Sequence, residues 1–140
     1  MQCFLLGTGG MMPLPRRRLT SVVVRPSSEM VQFDCGEGAQ VPFKELRIGI
    51  KPLTVIAITH LHADHCLGLP GVLMFRAQCD EPGPLVILGP RGIARFIKNV
   101  ISDLSCHIGF DLEIYEWSEG ADELAFENEE LTLLWAPLHH

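Results

Sequence analysis

Apolar residues in this chain follow two periods, one typical of buried strands and one typical of amphipathic helices. Short runs rich in β-branched and aliphatic residues predict strands at residues 2–6, 20–25, 30–33, 53–58, 85–88, 110–117 and 131–136. Apolar positions spaced three and four residues apart predict helices at residues 39–48, 67–78 and 93–104. Because strands and helices alternate along the chain, the pattern indicates an α/β fold built in layers.

The same periods identify the side chains that we expect to face the core. On and after the three predicted helices these are Val41, Phe43, Leu46 and Ile50; Leu73, Met74 and Phe75; and Ile93, Phe96, Ile97, Val100, Ile101 and Leu104. Residues 110–117 alternate between apolar and polar positions, as in a half-exposed strand. Turns are predicted between these elements, with acidic ones at residues 118–123 and 127–130.

Length and composition limit the classes of protein that fit. A chain of 140 residues with 47% hydrophobic content is enough for one domain with a substantial core. No apolar run approaches the roughly 20 residues that cross a bilayer, and the apolar start is too short for a signal peptide, so we expect no membrane partner. Five cysteines, an odd number without a CxxC pair, indicate reduced thiols in a cytoplasmic protein.

The net charge of −6 does not favour non-specific binding of nucleic acid, which needs a basic surface. One dense basic patch stands out, formed by Arg16, Arg17 and Arg18. We interpret it as a solvated loop face, with contact to a polyanionic substrate as the alternative.

Polar side chains suited to metal binding concentrate directly after the predicted strand at residues 53–58. Three histidines and one aspartate fall within six residues: His60, His62, Asp64 and His65. Side chains two apart on an extended chain point the same way, so His60 and His62 can bind one ion together. Asp64 and His65 follow the end of the strand, where the turning chain lets them face a second ion.

A metal site explains this cluster better than core packing does, because burying unpaired polar groups is costly. Imidazole suits Zn²⁺, and a carboxylate can bind a metal or hold its water. Two ions about 3.5–4 Å apart can stabilise an attacking and a leaving oxygen together. Cys66 could be a further ligand by position, although we favour a small buried hydrophobic role for it.

The residues at 60–65 resemble the HxHxDH signature of the metallo-β-lactamase superfamily. Further similarity to the ribonuclease Z branch of that superfamily lies at residues 4–9, 33–38, 59–71 and 88–92. HxHxDH alone specifies the superfamily, whereas the Asp-Cys-Gly-Glu-Gly run at 34–38 and the Gly-Leu-Pro-Gly run at 68–71 narrow it to this branch. The resemblance extends over essentially the whole chain.

The resemblance implies an αββα sandwich, two sheets covered by helices, with two zinc ions at one edge. His60, His62 and His140 would bind the first ion, and Asp64 and His65 would contribute to the second. Asp64 would also orient the attacking water and take its proton, while Asp34 would support the metal loop from behind. The implied activity is a zinc-dependent endoribonuclease that removes 3′ trailers from tRNA precursors, with RNA as its partner. We also expect a homodimer.

The assignment of His140 depends on residues 136–140, which resemble a Pro-Leu-x-His motif after a strand. A chance or tag-derived histidine pair is the alternative explanation. In the resembled family a bridging aspartate, a last histidine and a substrate-binding arm follow this motif, and none is present here. We therefore expect residues 1–140 to form a single domain truncated at its C-terminus, the N-terminal half of the sandwich. Alone, such a chain should self-associate and be inactive.

Two other functions remain open from the sequence. One is a different hydrolase of the same fold, acting on a cyclic phosphodiester or a thioester. The other is a non-catalytic half-domain that binds metal or pairs with another chain. The presence of Asp64, which a purely structural metal site does not need, favours the enzyme.

Overall fold

The computed structural model describes residues 1–117 and 123–136, and its elements follow the predicted alternation. The strands are β1 (Gln2–Gly7), β2 (Ser21–Arg25), β3 (Met30–Phe33), β4 (Leu53–Ala57), β5 (Leu85–Gly89), β6 (Leu112–Glu116), β7 (Glu123–Glu127) and β8 (Thr132–Trp135). The helices are α1 (Gln40–Glu45), α2 (Ala63–Cys66), α3 (Leu69–Arg76) and α4 (Ile93–Asp103). Within these ranges, no helix combines the length and apolar character needed to cross a membrane.

Six strands form one mixed sheet in the order β1-β2-β3-β4-β5-β6. The β1–β2 and β2–β3 pairs are antiparallel, whereas β3, β4, β5 and β6 run parallel to one another. The carboxyl ends of the parallel strands therefore meet at one edge. This is the edge at which open α/β sheets place their binding sites.

The two faces of this sheet bury different layers. One face packs against the helices through a large apolar core that includes Phe43, Ile56, Leu73, Ile87 and Ile97. The other face packs against the two-stranded β7–β8 sheet through a smaller core around Val31, Val55 and Leu88. Helices, a first sheet and a second sheet are thus stacked in order, as expected for the N-terminal half of an αββα sandwich.

The predicted core is correct at five positions and wrong at four others. Phe43, Ile50, Leu73, Ile93 and Ile97 are at most 2% exposed, as predicted. The side chains of Val41, Leu46, Met74 and Leu104 are instead 40%, 49%, 47% and 60% exposed. Leu46 and Leu104 are the C-cap residues of α1 and α4, so they lie beyond the last buried turn. Val41 and Met74 lie next to a buried residue, about 100° around the helix from it.

The predicted helix at 67–78 is interrupted at its start, where α2 and α3 are separate. The Gly68 N–H donates to Cys35 O at 2.8 Å instead of continuing the ladder of α2. All five cysteines are free thiols, as predicted. Cys66 is buried, in agreement with the role that we favoured.

Strand β7 was not predicted, because its five residues begin and end with glutamate and lie between two acidic turns. Residues 118–122, where we expected the first turn, lie outside the described ranges. Pairing with β8 defines β7, including the register Leu124↔Leu134. Trp117 and Trp135 stack with ring centroids 4.3 Å apart and close the smaller core at one end.

Glu130 connects the β7–β8 sheet to the turn between β2 and β3 through hydrogen bonds. Its carboxylate accepts hydrogen bonds from the hydroxyls of Ser27 and Ser28, each at 2.6 Å. These bonds hold the pKa of Glu130 below its usual value. Asn128 adds a second connection, since its side-chain amide donates to Glu29 at 2.8 Å. Five side chains from distant parts of the sequence therefore connect the second sheet to this turn.

Candidate metal centre

The histidine cluster lies in the loop that follows β4, at the carboxyl edge of the parallel strands. His60 and His62 belong to the loop itself, whereas Asp64 and His65 lie on the short helix α2. The ring centroids of His60 and His62 are 4.5 Å apart, and those of His60 and His65 are 4.2 Å apart. The structure therefore brings His60 and His62 close together, as the spacing predicted, and also brings the His65 ring next to His60.

Asp34 anchors this cluster from the end of β3. Its backbone has the left-handed φ of 55°, which aspartate tolerates better than most residues. The carboxylate accepts from the Thr59 N–H at 2.8 Å and from the Thr59 hydroxyl at 2.9 Å. Its other oxygen lies 2.8 Å from His65 Nδ1. This is the supporting role that the resemblance implied for Asp34.

These contacts fix which nitrogen of each ring holds a proton. An ionised carboxylate can only accept, so His65 Nδ1 must donate to Asp34. Thr59 Oγ1 has one proton and lies 2.9 Å from Asp34 Oδ1 and 3.0 Å from His60 Nδ1; donation of that proton to the carboxylate leaves the contact with His60 to a proton on Nδ1. Both rings then present an unprotonated Nε2, the form in which imidazole binds a metal.

The electrostatics of the cluster favour the same protonation state. Burial lowers the pKa of His60, and the adjacent His65 and His62 rings lower it further. A metal ligand has to be neutral imidazole, so a lowered pKa prepares His60 for binding. Three adjacent rings oppose the protonation of any one of them, because the positive charges would repel one another. Three neutral rings instead offer several nitrogen donors to one bound cation.

Asp64 is held by the main chain of a different loop. Its Oδ2 accepts a hydrogen bond from the Met11 N–H at 2.7 Å, and this bond is the main cause of its lowered pKa. The same oxygen lies 3.6 Å from His65 Nε2, the nitrogen that the Asp34 bond leaves unprotonated. Asp64 is thus a carboxylate beside the second ring nitrogen of His65, a predicted metal ligand.

Two glycines, Gly36 and Gly68, allow the loop that follows β3 to lie directly against the segment that follows β4 and contains the histidines. The Cys35 N–H donates to His65 O at 2.7 Å, which joins the two loops through their backbones. A Cβ on Gly68 would lie 2.1 Å from Gly36 O, and a Cβ on Gly36 would lie 2.8 Å from Asp64 O. Any side chain at either position would separate the loops, so these glycines are required by close approach.

The donor set fits a divalent transition metal, although it is not complete within the described ranges. Neutral imidazole and carboxylate are the ligands that zinc and similar ions prefer. Among residues 1–117 and 123–136, no three His, Cys, Asp or Glu side chains converge closely enough to hold an ion. His140, the predicted further ligand, and its neighbour His139 lie outside those ranges.

Two of the three arginines in the basic patch at residues 16–18 have polar partners within the chain. Arg17 donates to Thr8 O at 2.8 Å, and Arg18 forms an ion pair with Glu45 at 2.8 Å. Arg16 is exposed, with a left-handed φ of 65°. This arrangement agrees with the interpretation as a solvated loop face.

Sequence reasoning missed two contributors to the site. The Thr59 hydroxyl contacts both Asp34 and His60 and so links the two side chains. The sequence feature that could have identified it is a hydroxyl residue directly before the first histidine. The Met11 N–H is a main-chain group, so no side-chain pattern could identify it.

Comparison with known proteins places the chain among known families. A family described as "Anti-Pycsar protein Apyc1" matches residues 1–100. Ribonuclease Z of Treponema denticola is 39% identical over 135 residues, which cover 96% of this chain and 44% of that protein. The chain thus spans less than half the length of this curated relative.

Solved structures place the fold in the same group. Human tRNase Z, short form, superposes with a TM-score of 0.88 at 31% identity, covering 96% of this chain and 59% of that one. A diphosphatase from the PhnP family gives a TM-score of 0.65 at 25% identity, covering 87% and 52%. The metallo-β-lactamase fold protein YhfI of Bacillus subtilis gives a TM-score of 0.64 at 18% identity over 88% and 48%, a likeness of fold alone. The chain therefore belongs to the family described as "Anti-Pycsar protein Apyc1", has the metallo-β-lactamase fold, and is similar to ribonuclease Z over nearly its whole length.

Proposed function

We propose that the protein is a zinc-dependent endoribonuclease of the ribonuclease Z type, which removes 3′ trailers from tRNA precursors. The observation that supports this most strongly is the paired hydrogen bonding of Asp34, which leaves Nε2 free on both His60 and His65. A purely structural cluster needs no such control over two tautomers. The similarity to ribonuclease Z and to human tRNase Z supports the choice of substrate.

His60, His62 and His140 would hold one ion, and Asp64 and His65 would contribute to the other. When bound, the metal supplies positive charge that polarises the phosphoryl group and stabilises its developing negative charge. The residues of this chain would orient the ligands and set their protonation. Asp34 keeps His65, and through Thr59 also His60, in the correct orientation and tautomer.

Asp64 would orient the attacking water and accept its proton. The Met11 N–H holds one carboxylate oxygen in place and favours the ionised form, in which Asp64 can act as a base. The other oxygen remains to contact the water. A positioned general base contributes about 10²–10⁴-fold to rate.

The test is single-turnover cleavage of a tRNA precursor with a 3′ trailer by the full-length protein. Asp64→Asn keeps an acceptor for the Met11 N–H but removes the base, so cleavage should slow by about 10²–10⁴-fold. RNA affinity should change little, because most contacts to a structured RNA go to phosphates and shape elsewhere. Asp103→Asn, the same change at an exposed position on α4, should leave both unchanged. Cleavage by Asp64→Asn at the wild-type rate would refute the role given to Asp64.

A second candidate is the hydrolysis of a smaller phosphoester, such as a cyclic phosphodiester. The match to the Apyc1 family and the likeness to a diphosphatase favour it, because neither name refers to tRNA. The same site chemistry serves both substrates. If the wild type cleaves a small phosphodiester but not the tRNA precursor, this second candidate replaces the first.

A further inference from the structure

We propose that a groove beside the metal loop binds a single-stranded segment of RNA, with its bases on an apolar floor and its phosphates along helix α4. This inference rests on the proposed RNA substrate and assigns a binding surface to a single-stranded part of that RNA. The groove has a volume of about 600 Å³ and lies between α2, with the loop before it, and α4. Leu61 and Ala63 line it, and they alternate with His60 and His62 along the chain. The groove thus borders the loop that carries the histidines without including them.

The floor of the groove is apolar and open to solvent. Leu61 and Leu67 are 39% and 47% exposed, although both are large aliphatic side chains next to a polar site. Phe96, on α4, contributes a partly buried aromatic ring between them and the core. Apolar and aromatic surfaces of this kind pack against the faces of unpaired bases and tolerate any base sequence.

The rim of the groove contains one cation, Arg95, and two further cations lie near it in the sequence. Arg95 and Asn99 line it from α4, four residues apart and therefore on the same side of the helix. Lys98 lies three residues after Arg95, and Arg91 just before the helix, and all four side chains are exposed. Within residues 1–117 and 123–136, no ion pair involves Arg91, Arg95 or Lys98.

A carboxylate also lies near the rim. Glu116 lies closest to the start of α4, where its carboxylate accepts from the Gly92 and Ala94 N–H groups at 2.9 and 3.0 Å. It is therefore engaged by the helix backbone. The positive rim stands out on a chain whose net charge is −6. Local positive charge around an apolar floor suits a polyanion with flat apolar bases.

A second copy of the chain fits this groove less well. In a twofold contact the same patch meets itself, so the cations of α4 would face the same cations of the partner. Like charges brought together in this way oppose association. Single-stranded RNA instead supplies a phosphate for each cation. We therefore assign the groove to RNA and treat dimerisation through it as the competing outcome.

The experiment measures binding of the full-length protein to a labelled single-stranded oligouridine over a range of salt concentrations. Each lost phosphate contact should reduce the slope of log affinity against log salt by roughly 0.7, so Arg95→Gln with Lys98→Gln should reduce it by about 1.4. The matched control, Lys44→Gln with Lys51→Gln, removes two exposed cations elsewhere and should leave the slope unchanged. Leu67→Ala should weaken binding without changing the slope, because it removes apolar contact alone.

Hydrolysis of a small phosphodiester by the same variants separates this inference from the proposed function. Unchanged turnover of the small ester, together with the reduced salt slope, supports the groove as an RNA-binding surface. An unchanged slope in the Arg95 and Lys98 variant overturns the inference even if the enzyme is active. A shift of that variant from dimer to monomer in sedimentation, with RNA binding intact, would overturn it in favour of a protein interface. A wild type that binds the oligonucleotide through the rim but hydrolyses neither substrate would support the groove and refute the proposed activity.

Discussion

Replacing Asp34 with asparagine exchanges one carboxylate oxygen for an NH₂ group and changes little else. Asparagine also tolerates the left-handed φ of 55° at this position. The Thr59 N–H can only donate, so the amide oxygen must stay with Thr59, and the NH₂ group then faces His65 Nδ1. Two donors cannot share that contact. The proton of His65 should therefore move to Nε2, where it blocks the nitrogen that binds metal.

The expected size of the effect follows from the bonds that change. Loss of the outer partner of a ligand histidine typically lowers metal affinity by about 10–100-fold, equal to about 1.4–2.8 kcal/mol. Hydrogen bonds to a charged group contribute a similar amount, about 1.5–3 kcal/mol. Asp34 is 5% exposed, so water cannot easily replace the missing acceptor. We expect metal affinity to fall within this range and the fold to remain.

Metal affinity is measured by competition with a chelator, and the protonated nitrogen of His65 by ¹⁵N NMR of the histidine rings in the metal-free protein. Asp103→Asn provides the matched control, because it makes the same change at an exposed position without a supporting role. Wild-type metal affinity in Asp34→Asn, or a His65 ring still protonated on Nδ1, would refute the reasoning.

Three further outcomes are expected. His62→Ala should sharply lower the metal content of the full-length protein, which in the wild type we expect to be about two ions per chain; elemental analysis without transition metal in either protein would contradict the site. Gly68→Ala should lower the free energy of unfolding by about 1–3 kcal/mol in denaturant melts, since its Cβ would lie 2.1 Å from Gly36 O, whereas Gly109→Ala, with its nearest atom at 3.7 Å, should not. The serine hydroxyls of the β2–β3 turn lower the pKa of Glu130 in the folded protein. The stability that Glu130 adds to the β7–β8 sheet is therefore complete above pH 4.5, its pKa in the unfolded chain, and is lost as the pH falls through its lower pKa in the folded protein. Amide exchange in β7 and β8 that does not accelerate at low pH would show that Glu130 does not hold this sheet.

The strands and helices with a strong period could be predicted from the sequence, and β7 could not. Helix α4 has buried residues at Ile93 and Ile97, four apart, which is the signal that the periodic pattern detects. The end of a helix depends instead on its caps and on what lies beyond them. Leu104 continues the apolar period, but the helix has already ended there. Strand β7 is held by pairing with β8 and by packing on the first sheet, and neither contact leaves a local pattern.

The clustering of His60, His62, Asp64 and His65 could be predicted because these residues are close together in the sequence. The hydrogen bonds that orient His60 and His65 could not be predicted. Asp34 lies 25 residues before Thr59 and 31 before His65. It reaches them because β3 and β4 are parallel neighbours, with Phe33 opposite Ala57, so both strands end at one edge. The left-handed turn at Asp34 then directs its side chain to the metal loop. Sheet order and one backbone angle decide this contact, and neither is visible in a motif.

The identity of the binding nitrogen shows why the motif and the fold are both needed. HxHxDH specifies how many imidazoles are present, but each imidazole has two nitrogens and can present either one. In this structure a single carboxylate settles the choice for His65 directly and for His60 through the Thr59 hydroxyl. A chain with the same six residues and no acceptor at position 34 would keep the ligands and lose the control of their protons. The site is therefore a property of two loops joined by the parallel sheet, and Asp34 belongs to it as much as the histidines do.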